Sequence, residues 1–221
     1  MNGPVNGPVN GPLNGPAARP VPTTVVFDLD GVVRHWNDDL LDEVEAGFGL
    51  PPRTIMGVAF GSDLGRLAIT GVLPYREWMD AIRERVVARH GDDCLGALDE
   101  WEANVGTVDT EMLGLLRRVR QHCTVALLSN GTTRLRRDLH VLDLLDEFDV
   151  VFNTAELGVA KPDPVVYRTV LDHLRATPDE SVFVDDMASN VAGACWVGMA
   201  GHQHTSPADT AEFLRSLGLP V

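Results

Sequence analysis

The sequence predicts an α/β protein: a parallel sheet covered by helices on both faces, with a helical bundle inserted after the first strand. Three observations predict it. Short apolar runs alternate with amphipathic segments, beginning at Thr23 and resuming at residue 109. Two of those runs end in paired carboxylates, Val25-Val26-Phe27-Asp28-Leu29-Asp30 and Val182-Phe183-Val184-Asp185-Asp186. Between the first run and residue 109 the alternation stops and only helical spacing remains. Strands that alternate with helices make a parallel sheet buried on both sides.

The elements follow in chain order. Residues 1–16 repeat the pattern Xaa-Asn-Gly-Pro four times. Proline removes donors, and asparagine and glycine favour turns, so neither helix nor ladder propagates there. Residues 1–22 are therefore read as a disordered tail. Thr24–Asp28 is the first strand. Helical spacing then appears over residues 38–48 (Leu40, Leu41, Val44, Phe48), 62–69 (Leu64, Leu67, Ile69), 75–89 (Trp78, Ile82, Val86) and 94–104 (Leu95, Leu98, Trp101). This makes 37–105 a helical cap, and 23–36 with 106–221 the sheet core. In the core, helices are predicted over 109–121, Arg134–Leu145, Pro164–Arg175, Ala188–Val197 and Ala208–Leu217. Strands are predicted over Thr124–Ser129, Phe148–Phe152, Ser181–Val184 and Met199–His202.

Composition narrows the function. The chain has 221 residues, 44% hydrophobic and 23% charged, with a net charge of −14. That charge repels nucleic acid and anionic membranes, so neither is an expected partner. An anionic substrate would need a metal, a lysine or backbone N–H groups to hold it. No apolar stretch approaches the roughly 20 residues of a membrane span, and no signal-peptide pattern opens the chain. Cys94, Cys123 and Cys195 have no Cys-x-x-Cys spacing, and Cys123 and Cys195 read as small core residues. A reducing cytoplasm fits.

Four polar signals carry chemistry. Asp28 and Asp30 are i and i+2, so on a strand they point to one side and repel unless a cation or proton lies between them. They sit at a strand's C-terminal end, where open α/β sheets bind ligands. The pair reads as a hard-metal site beside a carboxylate nucleophile. Ser129-Asn130-Gly131-Thr132 ends a second strand before a helix whose N–H groups suit an anion. Lys161-Pro162-Asp163-Pro164 precedes a helix, and its prolines stiffen the loop around the ammonium. Asp185-Asp186, followed by Asn190, ends a fourth strand. Each signal alone has a plainer explanation: an Asp-Gly turn, an N-cap, a surface lysine, a strand-end cap. Together on one sheet edge they make a site for a divalent cation and a phosphoryl group.

These residues resemble the four signatures of the haloacid dehalogenase-like hydrolase superfamily, in order and on the expected elements. The inserted helices resemble that family's C1-type cap. Gly65-Arg66-Leu67 through Gly71, then Glu77-Trp78, and the Phe-Val-Asp-Asp form of the last signature are similar to its epoxide-hydrolase-N-terminal-like phosphatase branch. The resemblance covers roughly residues 24–205 and implies a three-layer, Rossmann-like core. It implies Asp28 as nucleophile, Asp30 as general acid and then base, and Lys161 as the cation orienting Asp28. Ser129 and the Asn130 backbone N–H would hold phosphoryl oxygens. Mg²⁺ would be held by the Asp28 carboxylate, the Asp30 carbonyl and Asp186, with Asp185 assisting and Asn190 bracing the loop. The implied activity is a Mg²⁺-dependent phosphatase for a small phosphorylated metabolite. Its rivals are a phosphomutase and a 2-haloacid dehalogenase on the same fold, and a non-enzymatic phospho-acceptor receiver module. The physiological substrate and the oligomeric state are not legible.

Remaining residues take plainer readings. His202-x-His204 reads as an exposed loop pair, lacking a third ligand. Arg134, Arg136 and Arg137 read as a solvated helix face. Trp36, Trp78 and Trp101 read as packing residues, and Arg34 and His35 as a hinge or a substrate contact.

Overall fold

The first strand of the chain becomes the middle of the sheet. A computed structural model describes residues 19–61 and 63–221. The strands are β1 (Thr24–Phe27), β2 (Arg34–His35), β3 (Thr107–Val108), β4 (Thr124–Ser129), β5 (Val150–Asn153), β6 (Ser181–Asp185) and β7 (Ala200–Gln203). Five of them form one sheet in the order β5-β4-β1-β6-β7, with every neighbouring pair parallel. β2 and β3 form a separate antiparallel ribbon that the sequence reading did not contain. Two residues per strand are too few to show a period.

The helices are α1 (Asp38–Gly47), α2 (Thr54–Phe60), α3 (Asp63–Ile69), α4 (Tyr75–His90), α5 (Leu95–Ala103), α6 (Thr110–Val119), α7 (Leu135–Val141), α8 (Thr154–Leu157), α9 (Pro164–Leu174), α10 (Ala188–Trp196) and α11 (Pro207–Ser216). Successive residues of a strand point to opposite faces, and β1 obeys this. Val25 and Phe27 pack with Met112 and Leu116 of α6, Leu139 of α7 and Leu214 of α11. Val26 packs on the other face, with Val166 and Val170 of α9 and Ala194 of α10. The sheet is thus the central layer of three.

Helices α1–α5 lie between β2 and β3 in the chain. α2–α5 supply a cluster of their own, including Ile55, Ala59, Leu64, Trp78, Ile82, Val86 and Leu98. The predicted segments at 38–48, 75–89 and 94–104 correspond to α1, α4 and α5. The segment at 62–69 corresponds to α3, with Ser62 outside the described residues. α2 was absent from the sequence reading, because seven residues including Gly57 carry little periodicity. Its N-terminus is secured by a distant side chain: buried Glu45 accepts N–H groups from Thr54 at 3.1 Å and Ile55 at 2.7 Å.

Of the segment 1–22 read as a tail, residues 1–18 lie outside the described residues. Arg19 is docked on the core, donating to the carbonyls of Asp179 at 2.9 Å and of Pro178 and Gly198 at 2.7 Å. Cys195 does not join the core as expected; it is exposed, whereas Cys94 and Cys123 are buried. Among the described residues no helix is long and apolar enough to cross a membrane.

Candidate active site

The parallel register brings three strand ends to one rim. Thr24, Thr124 and Ser181 are paired across β1, β4 and β6, so Asp28, Ser129 and Asp185 emerge at similar heights. A cleft of about 380 Å³ opens there. Asp28, Asp30, Ser129, Asn130, Lys161, Asp186 and Asn190 all line it. Asp185 does not; it lies behind the floor and is fully buried.

The floor is an ion cluster. Lys161 Nζ stands 2.7 Å from Asp28 Oδ1 and 2.7 Å from Asp185 Oδ2, with its side chain 1% exposed. Leu29 N–H also donates to Asp28 Oδ1, at 2.7 Å. Both donors fall on one oxygen; among the described residues Oδ2 receives none. Burial pushes the Asp28 carboxyl up to about 8; Lys161 opposes the rise and Asp185 adds to it. Burial alone would push the Lys161 ammonium down, but Asp28 and Asp185 hold it above its ordinary value.

Lys161 is held through its backbone rather than by its prolines alone. Asn130 Oδ1 accepts the Lys161 N–H at 2.9 Å, and Asn130 Nδ2 donates to the Lys161 carbonyl at 3.1 Å. The Asn130 side chain, which the sequence reading left without a role, therefore joins the β4 loop to the lysine loop. Asn190 Nδ2 donates to both oxygens of Asp185 at 3.0 Å, and Met187 N–H donates to Asp185 Oδ1 at 2.8 Å. With Lys161, that gives Asp185 four bonds within the protein. Its geometry is that of a brace for the lysine and the following loop.

Carboxylate oxygens of Asp28, Asp185 and Asp186 lie within 4.8 Å of one another. Burial and the neighbouring Asp185 both raise the Asp186 carboxyl above its ordinary value. One ammonium faces three carboxylates here, and oxygen donors in excess of cations suit a hard divalent ion. Gly31 makes the close approach possible. Its φ is +80°, and a Cβ there would fall 2.3 Å from Asp186 Oδ2. The residues present fit a Mg²⁺ site.

Asp30 is bound differently. Arg34 Nε donates to its Oδ1 at 2.7 Å, Arg34 Nη2 to its Oδ2 at 3.0 Å, and Trp36 Nε1 to its Oδ1 at 2.8 Å. Neither donor had this role in the sequence reading. Arg34 is not a solvated hinge: its side chain is 6% exposed. Trp36 is not a packing residue of the bundle; it is 38% exposed and lines the cleft. The available signal was Asp30-Gly31, a turn pair that folds residues i and i+4 together.

Arg134 and His204 are both enclosed, contrary to what their sequence suggests. Arg134 is buried and reaches Asp138 Oδ1 at 2.6 Å, the Tyr75 hydroxyl, and the carbonyls of Glu102 at 2.6 Å and Asn104 at 3.3 Å. It joins α7 to both ends of the α4–α5 pair instead of facing solvent. His204 is not an exposed loop residue either; it is buried, with Nδ1 2.7 Å from Thr210 Oγ1.

This architecture has known counterparts. A family model for haloacid dehalogenase-like hydrolases matches residues 22–198. A phosphatase of Mycobacterium tuberculosis is 30% identical over 188 residues, 81% of this chain and 86% of that protein. Phosphoglycolate phosphatase of Pseudomonas putida is 29% identical over 209 residues, 86% of this chain and 74% of that protein. The rat bifunctional epoxide hydrolase 2 is 26% identical over 211 residues, 86% of this chain but only 37% of its own length. Among solved structures, a HAD family enzyme from Bacteroides thetaiotaomicron, in complex with magnesium and inorganic phosphate, superposes with a TM-score of 0.72. It is 21% identical, and the match covers 87% of this chain and 98% of that one. With the matched segment spanning four of the five strands of the sheet, the inserted helices and all four polar loops, the chain belongs to the haloacid dehalogenase-like hydrolases.

Proposed function

We propose that this hydrolase is a Mg²⁺-dependent phosphatase acting on a small phosphate monoester through an aspartyl-phosphate on Asp28. The carrying observation is the floor of the cleft: Asp28 with the Lys161 ammonium and the Leu29 N–H both at 2.7 Å from Oδ1, beside two further carboxylates. The oxygen without a donor is the one available to attack phosphorus. A new P–O bond forms to Asp28 as the bond to the alcohol breaks. That electron pair leaves on the alcohol oxygen, which takes a proton from Asp30. Asp30 then accepts a proton from water, and the resulting hydroxide attacks the phosphorus and frees Asp28. General acid–base help of this kind contributes about 10²–10⁴-fold.

Ser129 and the Asn130 N–H hold phosphoryl oxygens, and Lys161 opposes the charge that gathers on them. The Asp28 carboxylate, the Asp30 carbonyl and Asp186 would hold the ion, with Asp185 behind them acting mainly on Lys161. When bound, Mg²⁺ supplies positive charge to the phosphoryl oxygens. Asp30 and the paired Asp185-Asp186 favour phosphoryl transfer over dehalogenation, which needs no second acid. The phosphatase names of the Mycobacterium and Pseudomonas relatives support the same choice. The net charge of −14 argues against nucleic acid as substrate. Three free thiols fit the cytoplasm.

The test is phosphate release from a panel of phosphate monoesters in Mg²⁺. Activity should vanish in EDTA and return with Mg²⁺, and Asp28→Asn should lower it at least about 10³-fold without unfolding the protein. Full activity in EDTA, or wild-type turnover by Asp28→Asn, would overturn the reading.

A further inference from the structure

The reaction proposed above needs Asp30 to meet the leaving oxygen, yet Asp30 is the least enclosed carboxylate of the cleft that carries a chemical step. Its side chain is 41% exposed, and an exposed carboxylate left alone samples several rotamers. This one has its position fixed by three hydrogen bonds from two side chains. Arg34 supplies two of them in a fork, the arrangement in which guanidinium best matches a carboxylate. Trp36 supplies the third and packs its ring 4.5 Å from the guanidinium carbon.

The backbone sets up the fork. Gly31 N–H donates to the Arg34 carbonyl at 2.8 Å, and Arg34 N–H donates to the Leu29 carbonyl at 2.8 Å. That turn returns β2 alongside Asp30. Arg34 is fixed on its far side as well: Nη1 lies 3.8 Å from Asp138 Oδ2 and 3.5 Å from the Val105 carbonyl. Asp138 in turn is bound by Arg134, which holds the α4–α5 ends. Both donors of Asp30 therefore sit where the chain leaves the sheet for the inserted helices, and one is tied to where it returns.

We propose that Arg34 and Trp36 are positioning residues for Asp30, holding its carboxylate from the ribbon that joins the inserted helices to the sheet. This rests on Asp30 being the general acid. Proton delivery to the leaving oxygen then depends on these two side chains, whereas attack by Asp28 does not.

The test compares kcat/KM for benzyl phosphate, whose alkoxide leaves poorly, and 4-nitrophenyl phosphate, whose leaving group needs little protonation. Wild type, Asp30→Asn, Trp36→Phe and Arg34→Lys are assayed in Mg²⁺. Trp36→Phe keeps a ring against the guanidinium and removes one donor; Arg34→Lys keeps the charge and loses the fork. Each should lower kcat/KM for benzyl phosphate by about tenfold and for 4-nitrophenyl phosphate by less than about threefold. Residues that merely support the fold would lower both equally. Equal losses, or none, in Trp36→Phe and Arg34→Lys beside a selective loss in Asp30→Asn would overturn the positioning role and leave the acid in place. A non-selective loss in Asp30→Asn would overturn both. Should Arg34→Lys fail to fold, Trp36→Phe decides alone.

Discussion

The floor of the cleft and the ribbon at its side treat two carboxylates, two residues apart, in opposite ways. Asp28 is sunk among strand ends and shares a buried ammonium with Asp185. Asp30 is half-open to water and is held by residues that follow it by four and six positions. The nucleophile role proposed for Asp28 needs one fixed line of attack and little freedom, and a buried ion cluster between rigid strands supplies that. The acid role proposed for Asp30, which must first give and then take a proton, needs access to water. One Asp-x-Asp spacing gives both environments, because β1 ends at Phe27 and the chain turns at Gly31.

The comparison breaks most visibly at Lys161. Lys161→Met would leave Asp28 and Asp185 as unpaired buried acids. Removing one partner of a buried pair costs about 3–5 kcal/mol, which in a chain of this size lowers Tm by roughly 6–20 °C. Losing the charge at the phosphoryl group should also reduce turnover about 10²–10³-fold. Calorimetry and phosphate release measure the two losses. A variant that melts with the wild type would mean that the floor does not depend on its lysine.

The next contrast lies between two arginines two positions apart. Arg134 is buried against Asp138, while Arg136 pairs with Glu156 in the open, with side chains 52% and 44% exposed. Arg134→Met should cost about 3 kcal/mol or more, because it leaves Asp138 with only the more distant Arg34 and frees the carbonyls of Glu102 and Asn104. Arg136→Ala should cost less than about 1 kcal/mol. Equal denaturation midpoints for the two variants would remove Arg134 as the bond between sheet core and inserted helices.

What the sequence makes legible follows the same division. The strand ends could be read because a buried parallel strand is a nearly unbroken apolar run, so a carboxylate at its end is conspicuous. Asp28 and Asp185 are of this kind, and the Ser129 hydroxyl stands out at its strand end in the same way. The convergence of their loops follows from parallel pairing alone. The ribbon could not be read that way: β2 and β3 are two residues each, and their chemistry lies in long-range partners. Arg34 and Arg134 look like any charged surface residues in sequence, and the partners that enclose them are distant in the chain: Val105 and Asp138 for Arg34, and Tyr75, Glu102 and Asn104 for Arg134. α2 is similar, since the side chain that starts it, Glu45, lies nine residues before its first residue.

The smallest effect concerns His204, whose burial the alternating sequence around it conceals. Loss of water holds the imidazole below its ordinary 6.5, nearby His202 and His35 push it the same way, and Asp109 and Asp209 pull against them. A histidine kept neutral in the fold binds its proton more readily once unfolded, so stability is present above about 6.5 and lost as pH falls below it. The His204 contribution to Tm should therefore decline on acidification from pH 7 toward 5.5, against the opposite pull of the raised Asp28 and Asp186 carboxyls, and by less than the Lys161 or Arg134 change above. His204→Gln, which keeps a hydrogen-bonding group near Thr210, should flatten part of that decline while His202 retains the rest. If the two proteins change Tm with the same slope, His204 is not a group that couples folding to protons, and the raised floor carboxyls cannot stand in for it, because they gain stability on acidification.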